Sequence, residues 1–269
     1  MSYTRPFLKW AGGKFRLITP LQHFMPQSSV YIEPFVGAGA IFLNLPQTEC
    51  HINDINPDLI SLYKILKKEG AEFIRYAARW FVPKYNQPLA YYELRQLFNQ
   101  RRLGRKRAAL FLYLNRHGYN GLCRYNQKGG FNVPFGAYKK PYFPSTELHR
   151  FYERLQSTTL TQGHYQRVMK KAPPGSLIYC DPPYWPLTHS AHFTQYSQGG
   201  FSLEDQKKLA QLASDTASRG VHVIISNHDL PATRALYTSA VLHSLPVIRT
   251  ISCQKRQPVM ELFAYYAAQ

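Results

Sequence analysis

The fold is decided by the stretch Val30-Tyr31-Ile32-Glu33-Pro34-Phe35-Val36-Gly37-Ala38-Gly39-Ala40-Ile41-Phe42-Leu43. Its β-branched and aromatic start predicts a short strand, Gly37 and Gly39 predict a turn, and the apolar segment 40–43 predicts a helix. Glycines at such a junction let the backbone approach a ligand, with the helix N-terminus behind it. The spacing does not match the dinucleotide pattern GxGxxG, and a plain strand-to-helix turn is the simpler alternative.

A second strand is predicted near His51-Ile52-Asn53-Asp54, followed by a helix that begins at Pro57, where the fixed φ suits a first helical position. Asp54 ends this strand, 17 residues after Gly37. A carboxylate in that place can accept hydrogen bonds from two ribose hydroxyls. The alternative role for Asp54 is a helix cap before Pro57.

The chain between about Pro57 and Lys140 differs in character from the rest. Its apolar residues follow a helical period as far as about Gly104, and residues 105–115 predict another helix. A polar stretch rich in glycine and aromatic residues begins at Gly118 and has hairpin turn chemistry at Lys128-Gly129-Gly130. We therefore expect a helical and hairpin module inserted into an α/β sheet.

The α/β alternation resumes after this module. Strands are predicted over 176–181 and 221–226, with a helix from Ser202 whose spacing to Asp205 resembles a capping box. Residues 247–252 and 261–266 predict a terminal hairpin. Strands that alternate with helices indicate mostly parallel pairing.

The most specific motif is Asp181-Pro182-Pro183-Tyr184, directly after an apolar strand. Consecutive prolines stiffen the chain and remove two N–H donors, which leaves oxygen acceptors at the ligand-binding edge of the sheet. Such a site suits an exocyclic amino group, whose two hydrogens need two acceptors, while Tyr184 offers a face on which a base can stack. The alternative is a rigid turn after a core strand.

The charge balance of the 269-residue chain favours a polyanionic partner. There are 33 Lys and Arg residues against 15 Asp and Glu, a formal net charge of +18, with 45% hydrophobic and 14% aromatic residues. The apolar content excludes a disordered chain, and nucleic acid is a better explanation of the charge than a merely solvated surface.

Several other classes are disfavoured. No apolar run is long enough for a membrane helix, and the N-terminus lacks a signal peptide's apolar block, so a cytoplasmic protein is expected. The four cysteines are widely spaced, with no CxxC, and are expected to be reduced thiols. The ten histidines form no ligand cluster, so His117, His192 and His228 are interpreted as structural or surface residues, and no metal is expected.

A basic window extends from Arg95 to Lys140 and contains eleven basic residues and no Asp or Glu. In many proteins such a window is a solvated helical face. Interleaving with Tyr119, Asn120, Tyr125 and Tyr138 favours contact with DNA.

Five stretches together resemble the DNA adenine-N6 methyltransferases, most closely the Dam type, which methylates adenine in GATC. The resemblance covers nearly the whole chain in the same order. The stretches are Phe7-Leu8-Lys9-Trp10-Ala11-Gly12-Gly13-Lys14, Glu33-Pro34-Phe35-Val36-Gly37-Ala38-Gly39, Asn53-Asp54-Ile55-Asn56, Asn115-Arg116-His117-Gly118-Tyr119-Asn120-Gly121-Leu122-Cys123-Arg124-Tyr125-Asn126 and Asp181-Pro182-Pro183-Tyr184.

The resemblance implies a Rossmann-like, S-adenosylmethionine-dependent α/β methyltransferase domain formed by residues 1–56 and 145–269. A target-recognition domain of helices and a β-hairpin, residues 57–144, is inserted into it. It implies methyl transfer to N6 of a flipped adenine in duplex GATC, without metal. The sequence gives no oligomeric state, and a monomer is the default expectation. The implied catalytic residues are Asp181, Pro182 and Tyr184. The implied cofactor-binding residues are Trp10, Lys14, Phe35, Gly37, Gly39, Asp54 and Asp181; spacing alone marks Trp10 only as a buried aromatic residue and Lys14 only as a solvated lysine.

The resemblance also divides the DNA-binding residues into two groups, because phosphate contacts position a protein and base contacts specify the sequence. Lys9 is implied near the DNA or target base. Base reading or intercalation is implied for Tyr119, Asn120, Leu122, Arg124, Pro134 and Tyr138, with the Arg124 fork suited to guanine O6 and N7. Phosphate contacts are implied for Arg95, Arg116, Asn126, Asn132 and Lys139.

Two departures and several alternatives stand beside this interpretation. Ala137 replaces a basic residue frequent in the family, and the loop 254–257 is short. A cytosine-N4 methyltransferase, whose motif usually begins with Ser in place of Asp181, and a catalytically silent DNA-binding protein are the rival functions. Mismatch-repair marking, control of DNA replication and evasion of restriction are all compatible with the sequence.

Overall fold

The computed structural model describes residues 3–185, 201–248 and 258–269, and the chain divides into two compact units. Unit 1 comprises Met1–Ile18, Gly37–Pro46 and Asn56–Gln162, and unit 2 comprises Thr19–Val36, Gln47–Ile55 and Gly163–Gln269. Unit 1 therefore combines the N-terminal segment and the glycine turn with the predicted helical and hairpin module.

The strands are β1 Val30–Glu33, β2 Glu49–Asp54, β3 Thr158–Gln162, β4 Leu177–Cys180, β5 His222–His228, β6 Val241–Ile248 and β7 Pro258–Tyr266. The helices are α1 Ile18–Phe24, α2 Pro57–Glu69, α3 Ala71–Ala78, α4 Pro88–Gln100, α5 Arg105–His117, α6 Ser145–Leu155, α7 Tyr165–Lys170, α8 Leu203–Ala217 and α9 Pro231–Leu236. None of the helices in the described ranges is long and apolar enough to cross a membrane.

The strand order of the sheet is β3-β2-β1-β4-β5-β7-β6. Strand β1 pairs in parallel with β2 and β4, and β4 pairs in parallel with β5, whereas β7 is antiparallel to both β5 and β6. A parallel centre with an antiparallel hairpin at one edge, together with alternating helices, confirms the predicted Rossmann-like α/β fold.

The core of unit 2 packs α7 and α8 on the parallel strands. Leu209 and Ala213 of α8 are buried in one cluster with Ile178, Val223 and Ile225 of the strands. The predicted helix start is confirmed, because the Ser202 hydroxyl accepts from the Asp205 N–H while the Asp205 carboxylate accepts from the Ser202 N–H, forming a capping box.

The helical part of unit 1 follows the prediction closely. Helix α2 begins at Pro57, and the Asn56 side chain caps it by accepting from the N–H groups of Asp58 and Leu59. Helix α5 extends two residues beyond the predicted 105–115. Most of α5 is buried, which explains its weak amphipathic pattern in the sequence.

The helix predicted over 40–43 is wrong. The chain forms only a short 3-10 turn, Phe42–Asn44, after the glycine turn. The Asn44 side-chain amide donates to the Ala40 carbonyl at 2.8 Å, and Leu45 is extended before Pro46, as the residue before a proline prefers. An apolar run of four residues is too short to fix a helix against these local signals.

The predicted turn at 128–130 is confirmed, although the arms are not continuous strands. Isolated antiparallel bridges join Tyr125 to Phe131 and Gly118 to Phe135. The Asn126 N–H donates to the Gly130 carbonyl at 2.8 Å, closing the turn. We call residues 122–135 the recognition hairpin.

The terminal hairpin is confirmed in its second strand, but its first strand begins at Val241, not at Val247 as predicted. Pro246 and polar residues interrupt the apolar pattern of β6, which is tolerated because β6 is an edge strand. Residues 249–257, and with them the short loop and Cys253, lie outside the described residues, as does His192. Cys50 and Cys180 are buried, and Cys123 is half-buried.

Candidate active site

The segment Asp181–Trp185 leaves the end of β4 in unit 2 and lies on buried polar side chains. These side chains come from α8, β5 and β7, and each is at most 6% exposed. We call them the polar cradle: Gln206, Ser226, Asn227, His228 and Glu261.

Asp181 is held by Ser226 because of the strand register. Cys180 pairs with Ile225 in the parallel β4–β5 ladder, which places Asp181 beside Ser226. The Ser226 hydroxyl lies 3.0 Å from Asp181 Oδ1 and 3.2 Å from the Cys180 carbonyl. Its single proton favours the closer, charged acceptor. The Tyr179 hydroxyl donates to Ser226 Oγ at 3.2 Å and supports the pair from behind.

The backbone of the proline pair presents one oxygen. Gln206 Nε2 donates to the Pro183 carbonyl at 2.8 Å, and Asn227 donates to Gln206 Oε1 at 3.1 Å. No residue within the described ranges donates to the Pro182 carbonyl. The prolines have no N–H groups to compete for a ligand's acceptors. The segment therefore offers the oxygens of Asp181 and Pro182 to an amino group.

Tyr184 is fixed at both ends of its side chain. Its hydroxyl donates to the Glu261 carboxylate, and the His228 ring packs edge-on against it, with ring centroids 5.0 Å apart. His228 itself is held by the Trp185 carbonyl at 2.5 Å. The ring of Tyr184 is thus an aromatic surface held beside Asp181. His228 is buried, and its structural role stays a prediction.

The electrostatics of this region are negative. Burial, and next the charges of Asp181 and Glu261, raise the pKa of the Tyr179 and Tyr184 hydroxyls well above the ordinary value. Carboxylates beside neutral hydroxyls at one end of a sheet favour a ligand that is positively charged or becomes so during reaction.

Phe35 lies two residues beyond the end of β1, and Asp54 is the last residue of β2; the two strands are adjacent and parallel in unit 2. The Asn53 amide donates to the carbonyls of Pro34 and Gly163, each at 2.9 Å, and fixes both strand ends. The Phe35 ring is half-buried, with its centroid 5.0 Å from that of Tyr165. An aromatic face and a carboxylate at this edge match the needs of a nucleoside.

The other predicted cofactor residues lie in unit 1, where the glycine turn packs against the N-terminal segment. A Cβ on Gly37 would lie 2.7 Å from Trp10 Nε1, and Gly37 has a φ of +48°. A Cβ on Gly39 would lie 3.0 Å from the Phe151 ring. Lys14 is 6% exposed, and its ammonium donates to the Gly12 carbonyl at 2.7 Å. Contrary to the pattern-based expectation, Lys14 is not a solvated lysine.

Three of the predicted DNA-contacting residues meet in unit 1. The Lys9 ammonium lies 3.8 Å from the centre of the Tyr138 ring, and the Tyr138 hydroxyl accepts from the Asn120 N–H at 2.9 Å. The Asn115 amide pairs with both backbone groups of Lys9, at 2.9 and 2.7 Å. Burial and the charge of Arg116 lower the pKa of Lys9.

Tyr119, Leu122 and Pro134 form a second group through backbone hydrogen bonds. The Tyr119 N–H donates to the Pro134 carbonyl at 2.9 Å, and the Leu122 N–H donates to the Tyr119 carbonyl at 3.1 Å. The Tyr119 side chain is 49% exposed and Leu122 is half-buried.

Arg124 and Asn132 pair across the recognition hairpin. Arg124 Nε donates to Asn132 Oδ1 at 2.8 Å, and the Asn132 N–H donates to the Arg124 carbonyl at 3.0 Å. Asn126 Oδ1 accepts from the N–H groups of Lys128 and Gly130, so this side chain builds the turn.

The residues predicted to contact phosphates differ in their surroundings. Arg95 Nη1 donates to the Val133 carbonyl at 3.0 Å, and Arg116 Nε donates to the Tyr142 carbonyl at 3.1 Å. Lys139 is exposed. Their contacts with DNA stay predictions.

Sequence reasoning missed the polar cradle. Ser226, Asn227 and His228 carried a signal, since they end an otherwise apolar strand with three polar residues. Gln206 and Glu261 carried none, because their contacts depend on how α8 and β7 pack. The sequence marks the ligand-facing motif but not the side chains that hold it.

Comparison with known proteins gives a consistent result. A family model described as the D12 class N6 adenine-specific DNA methyltransferase matches residues 10–251. The chain is 49% identical over 269 residues to a DNA adenine methylase of Vibrio cholerae serotype O1, covering 99% of this chain and 97% of that protein. It is 47% identical over 268 residues to the DNA adenine methylase of Escherichia coli strain K12, covering 99% and 96%.

Both the family model and the relatives span most of the chain, including the Asp181 motif. The chain therefore belongs to the D12 class of N6 adenine-specific DNA methyltransferases.

Proposed function

We propose that the enzyme transfers a methyl group from S-adenosylmethionine to N6 of an adenine flipped out of duplex GATC. Family membership gives adenine-specific DNA methylation; the donor, the base flipping, the site and the residue roles are our proposal. The observation that carries it is the segment 181–185, where Ser226 holds Asp181, Gln206 occupies the Pro183 carbonyl, and the Pro182 carbonyl is left to accept.

The chemistry requires the amino nitrogen of adenine to become nucleophilic, because its lone pair is delocalised into the ring. We assign one N6–H to the Asp181 carboxylate and the other to the Pro182 carbonyl. Two acceptors so placed draw the nitrogen toward a tetrahedral shape and aim its lone pair at the methyl carbon. The N–C bond forms as the C–S bond breaks, and the nitrogen then loses one proton, which Asp181 accepts and passes to solvent. Asp181 is too weak a base to act earlier.

The negative surroundings of Asp181 support this assignment. Positive charge develops on the amino nitrogen during transfer, and the carboxylates of Asp181 and Glu261 stabilise it in a region shielded from water. Ser226 keeps the Asp181 carboxylate oriented so that no reorganisation is needed when the charge appears.

The cofactor residues fit S-adenosylmethionine chemically. The bound cofactor supplies an electrophilic methyl group on a sulfonium. We propose that the Asp54 carboxylate accepts from its ribose hydroxyls and that Phe35 packs against it. The backbone of the turn at Gly37 and Gly39 lines its site. We assign Trp10, Lys14 and Asp181 to the same site.

Access to N6 in a duplex requires extrusion of the adenine, which costs a few kcal/mol. We propose that Tyr184 offsets part of this cost by stacking on the flipped base. Its ring suits the role because Glu261 and His228 already fix its plane. An aromatic surface held in advance loses little conformational entropy on binding.

We propose that unit 1 supplies recognition of the DNA. Tyr119, Asn120, Leu122, Arg124, Pro134 and Tyr138 read or intercalate, Lys9 lies near the target base, and Arg95, Arg116, Asn126, Asn132 and Lys139 contact phosphates. Seven of the eleven basic residues in the acid-free window are exposed, which supports this assignment. We further propose a cytoplasmic monomer, since a net charge of +18 opposes self-association.

The test is transfer of labelled methyl groups to two short unmethylated duplexes, one with a single GATC and one with GTAC in its place. We expect incorporation only into GATC, recovered as N6-methyladenine by nucleoside mass spectrometry. Incorporation into both duplexes would contradict the proposed site, and recovery of N4-methylcytosine would contradict the proposed target atom. Incorporation into neither would contradict the proposal as a whole.

A further inference from the structure

The Arg124–Asn132 pair is flanked on each arm of the recognition hairpin by one residue tied to the helical part of unit 1. Tyr125 follows Arg124 on the first arm, and Phe131 precedes Asn132 on the second. Both ties are formed by side chains outside the residues already assigned to DNA contact, namely Asp58 and Asn99.

The first tie is a buried carboxylate. Asp58 is 3% exposed and accepts from Arg107 Nε at 2.5 Å and from the Tyr125 hydroxyl at 2.8 Å. Arg107 also donates to the carbonyls of Phe98 and Arg101 at the end of α4. Since Arg107 fixes Asp58 between α2, α4 and α5, the Tyr125 hydroxyl binds to a rigid acceptor.

The second tie is a side-chain amide that bonds to both backbone groups of one residue, as a neighbouring strand would. Asn99 of α4 accepts from the Phe131 N–H at 2.8 Å and donates to the Phe131 carbonyl at 3.1 Å. A primary amide that satisfies both backbone groups of one residue fixes that residue's position and orientation. The arms of the hairpin are joined by few backbone bridges of their own, so these side chains supply much of their order.

We propose that Asp58 and Asn99 are positioning residues that determine sequence discrimination, because they hold the two hairpin neighbours of the Arg124–Asn132 pair. The inference rests on the proposed base-reading role of Arg124. An arginine side chain has many rotamers, and a guanidinium fork discriminates guanine only when its approach is fixed to a fraction of an ångström. Asn132 orients the fork, and Tyr125 and Phe131 fix the backbone that carries both residues.

The test compares Tyr125→Phe and Asn99→Ala with the wild-type enzyme. Tyr125→Phe removes only the hydroxyl and keeps the ring, which packs edge-on against Phe131 at 5.7 Å. Tyr142→Phe is the matched control, since its hydroxyl donates to the Glu147 carboxylate at the surface and lies outside the hairpin. The readout is the ratio of kcat/KM for GATC to kcat/KM for a duplex with one guanine pair replaced.

We expect Tyr125→Phe, which removes one hydrogen bond to Asp58, to lower this ratio roughly five- to tenfold. Asn99→Ala removes two hydrogen bonds to Phe131 and should lower the ratio at least as much, whereas the control should leave it unchanged. The ratio does not depend on the fraction of active enzyme, so a variant that is merely less stable does not move it. An unchanged ratio in both hairpin variants would overturn the inference.

Arg124→Ala separates the inference from the proposed function. If Arg124→Ala leaves the preference for every base pair intact, the base-reading role itself is wrong. If it lowers the preference and the hairpin variants do not, only the positioning inference fails. In the double variant of Tyr125→Phe with Arg124→Ala, the hydroxyl deletion should add little to the arginine deletion, because it acts through Arg124.

Discussion

The Ser226 hydroxyl lies 3.0 Å from Oδ1 of Asp181, and the parallel register of β4 and β5 places it there. A carboxylate that must accept one particular hydrogen of an amino group needs a fixed orientation, because a hydrogen bond weakens steeply when donor and acceptor are misaligned. The Ser226 hydroxyl holds the carboxylate in one orientation through its hydrogen bond to Asp181 Oδ1.

Replacement of Asp181 by Ala should abolish turnover and spare most of the DNA affinity. The carboxylate is assigned to the reacting nitrogen, whereas duplex affinity is assigned to residues of unit 1. We expect kcat to fall by roughly 10²–10³-fold or more, as on loss of one preorganised electrostatic group. Single-turnover methylation and fluorescence anisotropy measure the two quantities separately. Asp215→Ala, an exposed carboxylate on α8, is the control and should change neither. Substantial turnover by Asp181→Ala would remove Asp181 from the mechanism.

Replacement of Ser226 by Ala should lower kcat while leaving the KM for DNA unchanged. A hydrogen bond to a charged group is worth about 1.5–3 kcal/mol, which corresponds to a decrease in kcat of roughly 10–150-fold. Ser226→Thr should recover part of the activity, since it retains the hydroxyl. Ser218→Ala, which removes a surface hydroxyl bonded to the Asp215 carbonyl, serves as the matched control. Equal losses in Ser226→Ala and Ser226→Thr would show a packing effect and contradict the assigned role.

The sequence predicted those parts of the fold that depend on local signals. The helix start at Pro57, the capping box of Ser202 and Asp205, and the turn at Gly129 each have a mechanism within a few residues. The helix predicted after Gly39 is absent because of local signals too. The Asn44 side chain bonds to the Ala40 carbonyl, and Pro46 disfavours a helical Leu45. Strand β6 began earlier than predicted because its pairing partner, β7, supplies order that its own pattern lacks.

The candidate site was predictable only at its ligand-facing surface. Asp181 and Asp54 could be selected as candidates because a carboxylate at the end of a strand has a recognisable sequence context. Gln206 and Glu261 are polar residues within elements of mixed pattern, and nothing near them in the sequence shows that they contact Pro183 and Tyr184. Such contacts arise from tertiary packing, so single-sequence reasoning cannot reach them.

Replacement of Gly37 by Ala should destabilise the protein and raise the KM for S-adenosylmethionine. The residue has a φ of +48°, and its added Cβ would lie 2.7 Å from Trp10 Nε1. We expect a loss of about 1–3 kcal/mol in the free energy of unfolding, from backbone strain and from displacement of the indole. Urea denaturation measures the loss of stability. Initial rates over a range of S-adenosylmethionine concentrations measure KM.

Gly175→Ala provides the control for that prediction. Gly175 has a φ of +78°, but an added Cβ meets nothing within 4 Å, so only backbone strain is introduced. It should lower stability by a smaller amount and leave the KM for S-adenosylmethionine unchanged. If the KM for S-adenosylmethionine changes equally in both variants, contact between Gly37 and Trp10 has no part in cofactor binding.

His117 should make the protein less stable as the pH falls below about 6.5. Burial, the largest cause, lowers the pKa of this histidine to about 4, and the charges of Arg116 and Lys9 act in the same direction. The unfolded chain therefore binds more protons than the folded protein between these two pH values. The linkage relation then requires stability to rise with pH over this interval and to be lost progressively as pH falls from 6.5 toward 4.

Protonation linked to His117 should lower the free energy of unfolding by about 2 kcal/mol between about pH 7.5 and pH 5. Urea denaturation at the two pH values measures it, and His117→Gln isolates it, because glutamine does not titrate and can still donate to the Tyr113 carbonyl. The variant should be less stable overall, since it loses the ring stacked on Tyr113 at 4.0 Å, but its stability should depend less on pH. Burial also lowers the pKa of His51 and His222, so some dependence on pH remains in the variant. The same pH dependence in both proteins would mean that His117 is protonated as readily in the folded chain as in the unfolded one.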